Sequence, residues 1–150
     1  MDLSDLYSEK ILDLAANAIQ PGRLANPDGS ARKVSRVCGS MIEVDVALRD
    51  GVIAGYGHEI SACALGQTSA AVVAREIVGT PVAEFRRLRE AMHAMLEQEG
   101  PPPQGKWSDL AYLEPVRDYR ARHMSTLLVF DAVVEAIEKA ESAESVAAKA

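Results

Sequence analysis

The sequence predicts an α+β fold: a leading helix, a three-stranded antiparallel sheet, and helices packed on one face of that sheet. Three observations carry the prediction. Met41 to Arg49 alternate, with Ile42, Val44, Val46 and Leu48 on one side and Met41, Glu43, Asp45 and Ala47 on the other, the period of a half-buried strand. Asp50-Gly51 follows at once, the dipeptide that two-residue hairpins favour because both central residues need positive φ. From Ala64 onward the apolar period becomes helical. Strands grouped together and helices grouped together describe α+β rather than alternating α/β.

Each element follows from its own signal. In SDLYSEKILDLAANAI, Leu3, Tyr7, Ile11, Leu14 and Ala18 share one helical face, and Pro21-Gly22 ends the helix. Asn26-Pro27-Asp28-Gly29 is a turn, after which Ala31 to Val37 form a short, weakly patterned strand. Met41 to Arg49 make the second strand and Val52 to Ile60 the third, folded back antiparallel. On the third strand, Val52, Ala54, Tyr56, His58 and Ile60 oppose Ile53, Gly55, Gly57 and Glu59, and the glycines predict close packing on their side. Leu65, Val72, Val73 and Ile77 then mark a helix stopped by Gly79. Thr80 as cap and Pro81 as first residue open another, with Val82, Phe85, Leu88, Met92 and Met95 or Leu96 as its core stripe. EGPPPQGK is an exposed connector, and WSDLAYLEP a short helix closed by Pro115. The last helix runs from about Met124 to Ala140, and the tail beyond it, residues 144–150, is expected to fray.

The chain has 150 residues, 48% hydrophobic and 25% charged, which suits one globular domain, assigned here to residues 1–143. Sixteen basic against 22 acidic residues give a net charge of −6, which argues against nucleic acid or an anionic membrane as partner. No stretch approaches a membrane span of about 18 apolar residues, and MDLSDLYSEK lacks the basic start and apolar run of a signal peptide. The expected location is the cytoplasm, where the two cysteines are thiols rather than a disulfide.

Those cysteines are the reactive candidates. Cys38 precedes the second strand, and Cys63 stands between the third strand and the following helix, where N–H groups and the helix dipole favour a thiolate. Up one strand and back along the next, the two could meet at one end of the sheet, or each could be a small buried hydrophobe. His58 could reach the same end, although a packed histidine is the plainer reading. His93 and His123 have no recognisable carboxylate or cysteine partner nearby in sequence, and Glu43 and Asp45 fit the wet side of a sheet. A phosphate loop, a nucleophile elbow and an HExxH helix are all missing from the sequence, so a hydrolase or nucleotide enzyme has no support.

Over nearly its whole length the chain resembles the U-type iron-sulfur cluster assembly scaffolds, the family of IscU, SufU and the N-terminal domain of NifU. The resemblance rests on Cys38-Gly39 before a strand, on CALGQTS from Cys63, and on the helix ARHMSTLLVFDAVVEAI. GPPPQGKWSDLAYLEPVRDYRAR, with an insertion near 99–120, is similar to the SufU branch. Family members gather three cysteines and an aspartate at one end of the sheet, enough for a cluster or, in the SufU branch, a zinc ion. The resemblance implies a scaffold or zinc-dependent sulfur acceptor holding metal, sulfur or cluster at Cys38 and Cys63, with a cysteine desulfurase and other assembly proteins as partners. Here Ser40 replaces the expected aspartate and Ser125 the third cysteine; Met124 stands where relatives carry lysine or histidine, while Arg122 matches an arginine of SufU-like sequences. A serine hydroxyl stays protonated near neutral pH and ligates poorly. His58, His123, a second subunit or a small-molecule thiol would have to complete the shell. The alternatives are an interaction module that carries no cluster, and a redox-switched pair of cysteines.

Overall fold

The computed structural model describes residues 7–36 and 39–149, with side chains through residue 143. Leu3, Val37 and Cys38, which figure in the expectations above, lie outside the described residues.

Helix α1 (Glu9–Ala16) is shorter than its apolar pattern. Ser8 opens it by accepting the Ile11 N–H at 3.2 Å, and at its end the Asn17 side-chain amide donates to the Asp13 carbonyl at 3.0 Å. An asparagine that bonds the backbone in this way competes with further helix. Ile11 is fully buried.

Strands β1 (Gly29–Ser35), β2 (Ser40–Arg49) and β3 (Val52–Ser61) form one antiparallel sheet in that order. Asp50 and Gly51 both take positive φ, 53° and 77°, as the hairpin requires. β1 begins earlier than expected and its pattern is weak for a physical reason. Its core-facing positions are small, because α4 (His123–Lys149) lies across β1 and β2, and a Cβ at Gly29 would run into the Ala136 carbonyl oxygen and the Ala140 nitrogen.

The expected faces of β3 need one correction. Register slips between Ala47 and Leu48, so that Ala47 opposes Gly55 while Leu48 opposes Ile53. This bulge puts Ile53 on the same side as Tyr56, His58 and Ile60, facing the helices, and explains why Ile53 is buried and Ala54 exposed.

The opposite side is not simply wet. The segment after α1 bridges His58 at Gly22 and passes over Gly57, where a Cβ would strike the Gly22 carbonyl oxygen, as the glycines predicted. Asp45, 1% exposed at its side chain, pins it: the carboxylate accepts from Arg23 Nε at 2.6 Å and Nη2 at 2.8 Å, from Leu24 N at 3.0 Å and from Ser30 Oγ at 2.6 Å. Glu43 takes the remaining arm of Arg23 at 2.8 Å. The Arg23 guanidinium holds the Asp45 carboxyl down to about 2, against burial. A depressed carboxyl stabilises the fold above its unfolded value and loses that contribution as pH falls through the folded one. Asp45 is therefore expected to supply at most about 2 kcal/mol, fully present above about pH 4 and lost toward pH 2. Melting temperatures of wild type and Asp45→Asn between pH 6 and pH 2 check this, with the gap between them closing over that window.

Helix α2 (Ala64–Glu76) follows, ended by Gly79 at φ 91°, and α3 (Val82–Glu97) buries the predicted stripe. Thr80 does not cap α3. Its hydroxyl is buried and donates to the Glu76 carbonyl at 3.2 Å, because residues 79–82 pair with the start of β3 instead. The connector runs into a 3-10 helix, Gly105–Asp118, that continues through Pro115 rather than closing there, and a second turn, Arg120–Arg122, leads into α4. The 3-10 segment buries Trp107, Leu110, Leu113 and Val116 in the core. The backbone of α4 stays helical to Lys149 where an end near Ala140 was expected; alanine, glutamate and lysine are strong helix formers.

Candidate functional site

Ser35 pairs with Ser40 and Met41 with Ser61, so the end of β1, the start of β2 and the β3–α2 junction occupy the same end of the sheet. Cys38, two residues before Ser40 in sequence, lies outside the described residues. Gly39 takes φ 71°, which a glycine allows at no steric cost, and its N–H bonds the Ser35 carbonyl at 2.9 Å.

Cys63 is a free thiol, half-buried, at the N-cap of α2. Its side chain makes no capping hydrogen bond; its sulfur lies instead 3.2 Å from Ser125 Oγ, on the first turn of α4. Ser125 Oγ is in turn 3.2 Å from Ser40 Oγ on β2. Three elements distant in sequence thus bring Ser40, Cys63 and Ser125 into one chain of polar atoms, with the two serines 2% and 1% exposed. Gly66 allows the approach: a Cβ there would stand 3.2 Å from the Ser125 carbonyl oxygen and 2.9 Å from Ala62 Cβ. Neighbouring hydroxyls are spent on the helix backbones, Ser69 donating to the Thr126 carbonyl at 2.8 Å and Thr68 to the Ile11 carbonyl at 3.0 Å.

The histidines are engaged elsewhere. His58 is buried opposite Val44 and its Nδ1 is hydrogen-bonded to the Tyr56 hydroxyl at 2.8 Å. Burial pushes this imidazole down to about 4 and holds the Tyr56 hydroxyl protonated, so the pair is neutral. His123 Nε2 donates to the carbonyls of Val116 and Arg117 at 3.0 and 3.1 Å. His93, expected to lack a carboxylate partner nearby in sequence, has Glu97 one helical turn on, its Nδ1 3.4 Å from Glu97 Oε1, and a second carboxylate 38 residues away, its Nε2 2.7 Å from Asp131 Oδ1, beside Arg89 Nε at 2.8 Å. The bond to Asp131 raises the His93 imidazole above its ordinary value, against burial. His93, His123 and Asp131 border a cavity of about 450 Å³ between α3 and α4, which the 51%-exposed Met124 also lines.

Among the described residues no group of three or more His, Cys, Asp or Glu side chains is placed to hold a metal ion. The donor chemistry at the sheet end agrees. Two hydroxyls bonded to one another and a single described thiol do not make the four soft or anionic ligands that zinc takes. What this arrangement can do is present one sulfur at a rim, backed by hydroxyl donors.

No family model matches the chain. The N-terminal domain of a NifU-like protein from Brucella abortus has a crystal structure with 47% identity, covering 93% of this chain and 97% of that one at a TM-score of 0.91. The IscU scaffold of Thermotoga maritima is 28% identical over 134 residues, 89% of this chain and 94% of its own. A cluster assembly scaffold of the SUF system from Fervidobacterium islandicum shares the fold at a TM-score of 0.81, with 19% identity over 90% of this chain and 98% of that one. These likenesses define the class as α+β scaffolds of the IscU/NifU type. The chain belongs to the U-type family of iron-sulfur cluster assembly scaffolds.

Proposed function

We propose that this chain serves iron-sulfur cluster assembly by holding sulfur, metal or cluster transiently through Cys38 and Cys63, in a single scaffold domain spanning residues 1–143. The observation that carries the reading is the convergence of Ser40, Cys63 and Ser125, which the resemblance gives as ligand positions, at one end of the sheet; Cys38 precedes Ser40 by two residues in sequence. A cysteine desulfurase is the sulfur donor this reading implies, in the cytoplasm. The SufU-type assignment rests on the insertion, which here forms the Pro-rich connector and the 3-10 helix Gly105–Asp118. Zinc as a resident ion is a poor fit, since the hydroxyls of Ser40 and Ser125 supply no anionic ligand, and no step is assigned to it. Iron and sulfide are cargo, held by few ligands and so easily released; a second copy of the chain could lend further thiolates.

The same buried hydroxyl pair favours one other reading, that of an interaction module that binds the desulfurase without carrying a cluster. The Cys38→Ser, Cys63→Ser double variant separates the two. It is expected to lose the iron and sulfur that wild type takes up in anaerobic reconstitution while still co-purifying with the desulfurase. Equal iron and sulfur in both proteins would sink the scaffold reading; none in either, with the complex intact, would leave the module.

A further inference from the structure

We propose that Ser40 and Ser125 form a hydroxyl chain that holds an anionic sulfur on Cys63, which makes them positioning residues for sulfur transfer in place of the metal ligands the family carries there. The inference rests on the reading above that Cys63 handles sulfur. The geometry assigns the direction of the chain. Ser125 Oγ stands 3.2 Å from the Cys63 sulfur and 3.2 Å from Ser40 Oγ. A hydroxyl has one proton to give. A thiolate or perthiolate has none, so Ser125 donates outward to the sulfur and accepts inward from Ser40.

Burial makes the arrangement selective. Ser125 and Ser40 are 1% and 2% exposed, so bulk water does not compete for their protons, whereas Cys63 is half-buried and open to a donor at the rim. Ser125 cannot swing aside easily, because Gly66 lies against it and Ser40 occupies the other side. Hydrogen bonds to an ionised acceptor are roughly twice as strong as neutral ones. A ligand position has thus become a donor position, suited to sulfur and unsuited to a cation.

The step it supports is an exchange between sulfurs. The Cys63 thiolate attacks the outer sulfur of a donor persulfide, R–S–SH. Its electron pair forms the new S–S bond, and the pair of the old S–S bond leaves with the donor as R–S⁻, giving Cys63–S–SH with no net oxidation. The perthiol proton passes to solvent, and Ser125 then faces an anionic persulfide. Throughout, the serines keep their own protons.

The test uses the full chain with glutathione persulfide as donor, and follows sulfane sulfur on Cys63 by mass spectrometry. Wild type is expected to be labelled at Cys63, and Ser125→Ala to be labelled about tenfold more slowly, the effect of one hydrogen bond to a charged group. Ser40→Ala, which leaves Ser125 in place, is expected to slow labelling to a smaller degree. Because Ser40 acts through Ser125, the double variant should match Ser125→Ala, whereas a purely structural role would add the two losses. Labelled wild type with unchanged rates in both single variants overturns the hydroxyl chain alone. Wild type that takes no sulfane sulfur at Cys63 overturns the functional reading beneath it.

Discussion

Ser40→Asp combined with Ser125→Cys is expected to give a chain that binds zinc at least about 100-fold more tightly than wild type, because a new carboxylate and a new thiol join the Cys63 thiol at one sheet end. The positions are already assembled. Ser125 Oγ lies within 3.2 Å of both the Cys63 sulfur and Ser40 Oγ, so ligands built on those Cβ atoms start close to coordinating distance of one another. Two changes convert protonated hydroxyls into groups that ionise beside a cation, which is what zinc needs for a closed four-ligand shell. Ser125→Cys alone should give an intermediate gain. Competition against a chelating dye measures the effect, and metal binding should also raise the melting temperature in proportion to free zinc. An affinity equal to wild type would mean that the sheet end does not assemble a site as described.

A second large effect is expected at Gly29, which carries no reactive group. A side chain there points into the backbone of α4 at Ala136 and Ala140. Backbone atoms cannot rotate away as a side chain tip can, so Gly29→Val should force α4 off β1, at a cost of about 3 kcal/mol. For a domain of this size that corresponds to a fall in melting temperature of roughly 10 °C. Because α4 carries Ser125, the displacement should also pull its hydroxyl away from Cys63. Thermal unfolding by circular dichroism checks the first consequence. A melting curve unchanged by Gly29→Val would contradict the packing of α4 on β1.

What the sequence makes legible follows from how local each signal is. The β2–β3 hairpin could be read because alternation and Asp50-Gly51 are neighbours in the chain, and the core stripe of α3 because it repeats every turn. Features decided by contact across the fold could not. The bulge at Ala47 and Leu48 shifts Ile53 to the helix side with no residue that announces it. Thr80 looks like a helix cap, but backbone pairing between residues 79–82 and β3 takes precedence. Asp45 reads as a surface acid because its partner Arg23 lies 22 residues away, beyond a turn. At the candidate site, motifs name residues but not the bonds between them. Cys63 and the two replaced ligand positions could be named from the motifs, whereas the bond between Ser40 and Ser125, 85 residues apart, appears only in three dimensions. Gly66 left a trace in retrospect, as a glycine one turn into a helix, where alanine would otherwise be preferred.

The most direct measurement of the central claim is transfer. Wild type and Cys63→Ser, each supplied anaerobically with iron, cysteine and a cysteine desulfurase, are mixed with an apo-ferredoxin, and the acceptor's cluster is followed by its visible absorbance. A scaffold working through Cys63 predicts that wild type accelerates cluster appearance in the acceptor and that Cys63→Ser falls to the rate seen with desulfurase alone. Equal acceleration by the two proteins, or none by wild type, would contradict it.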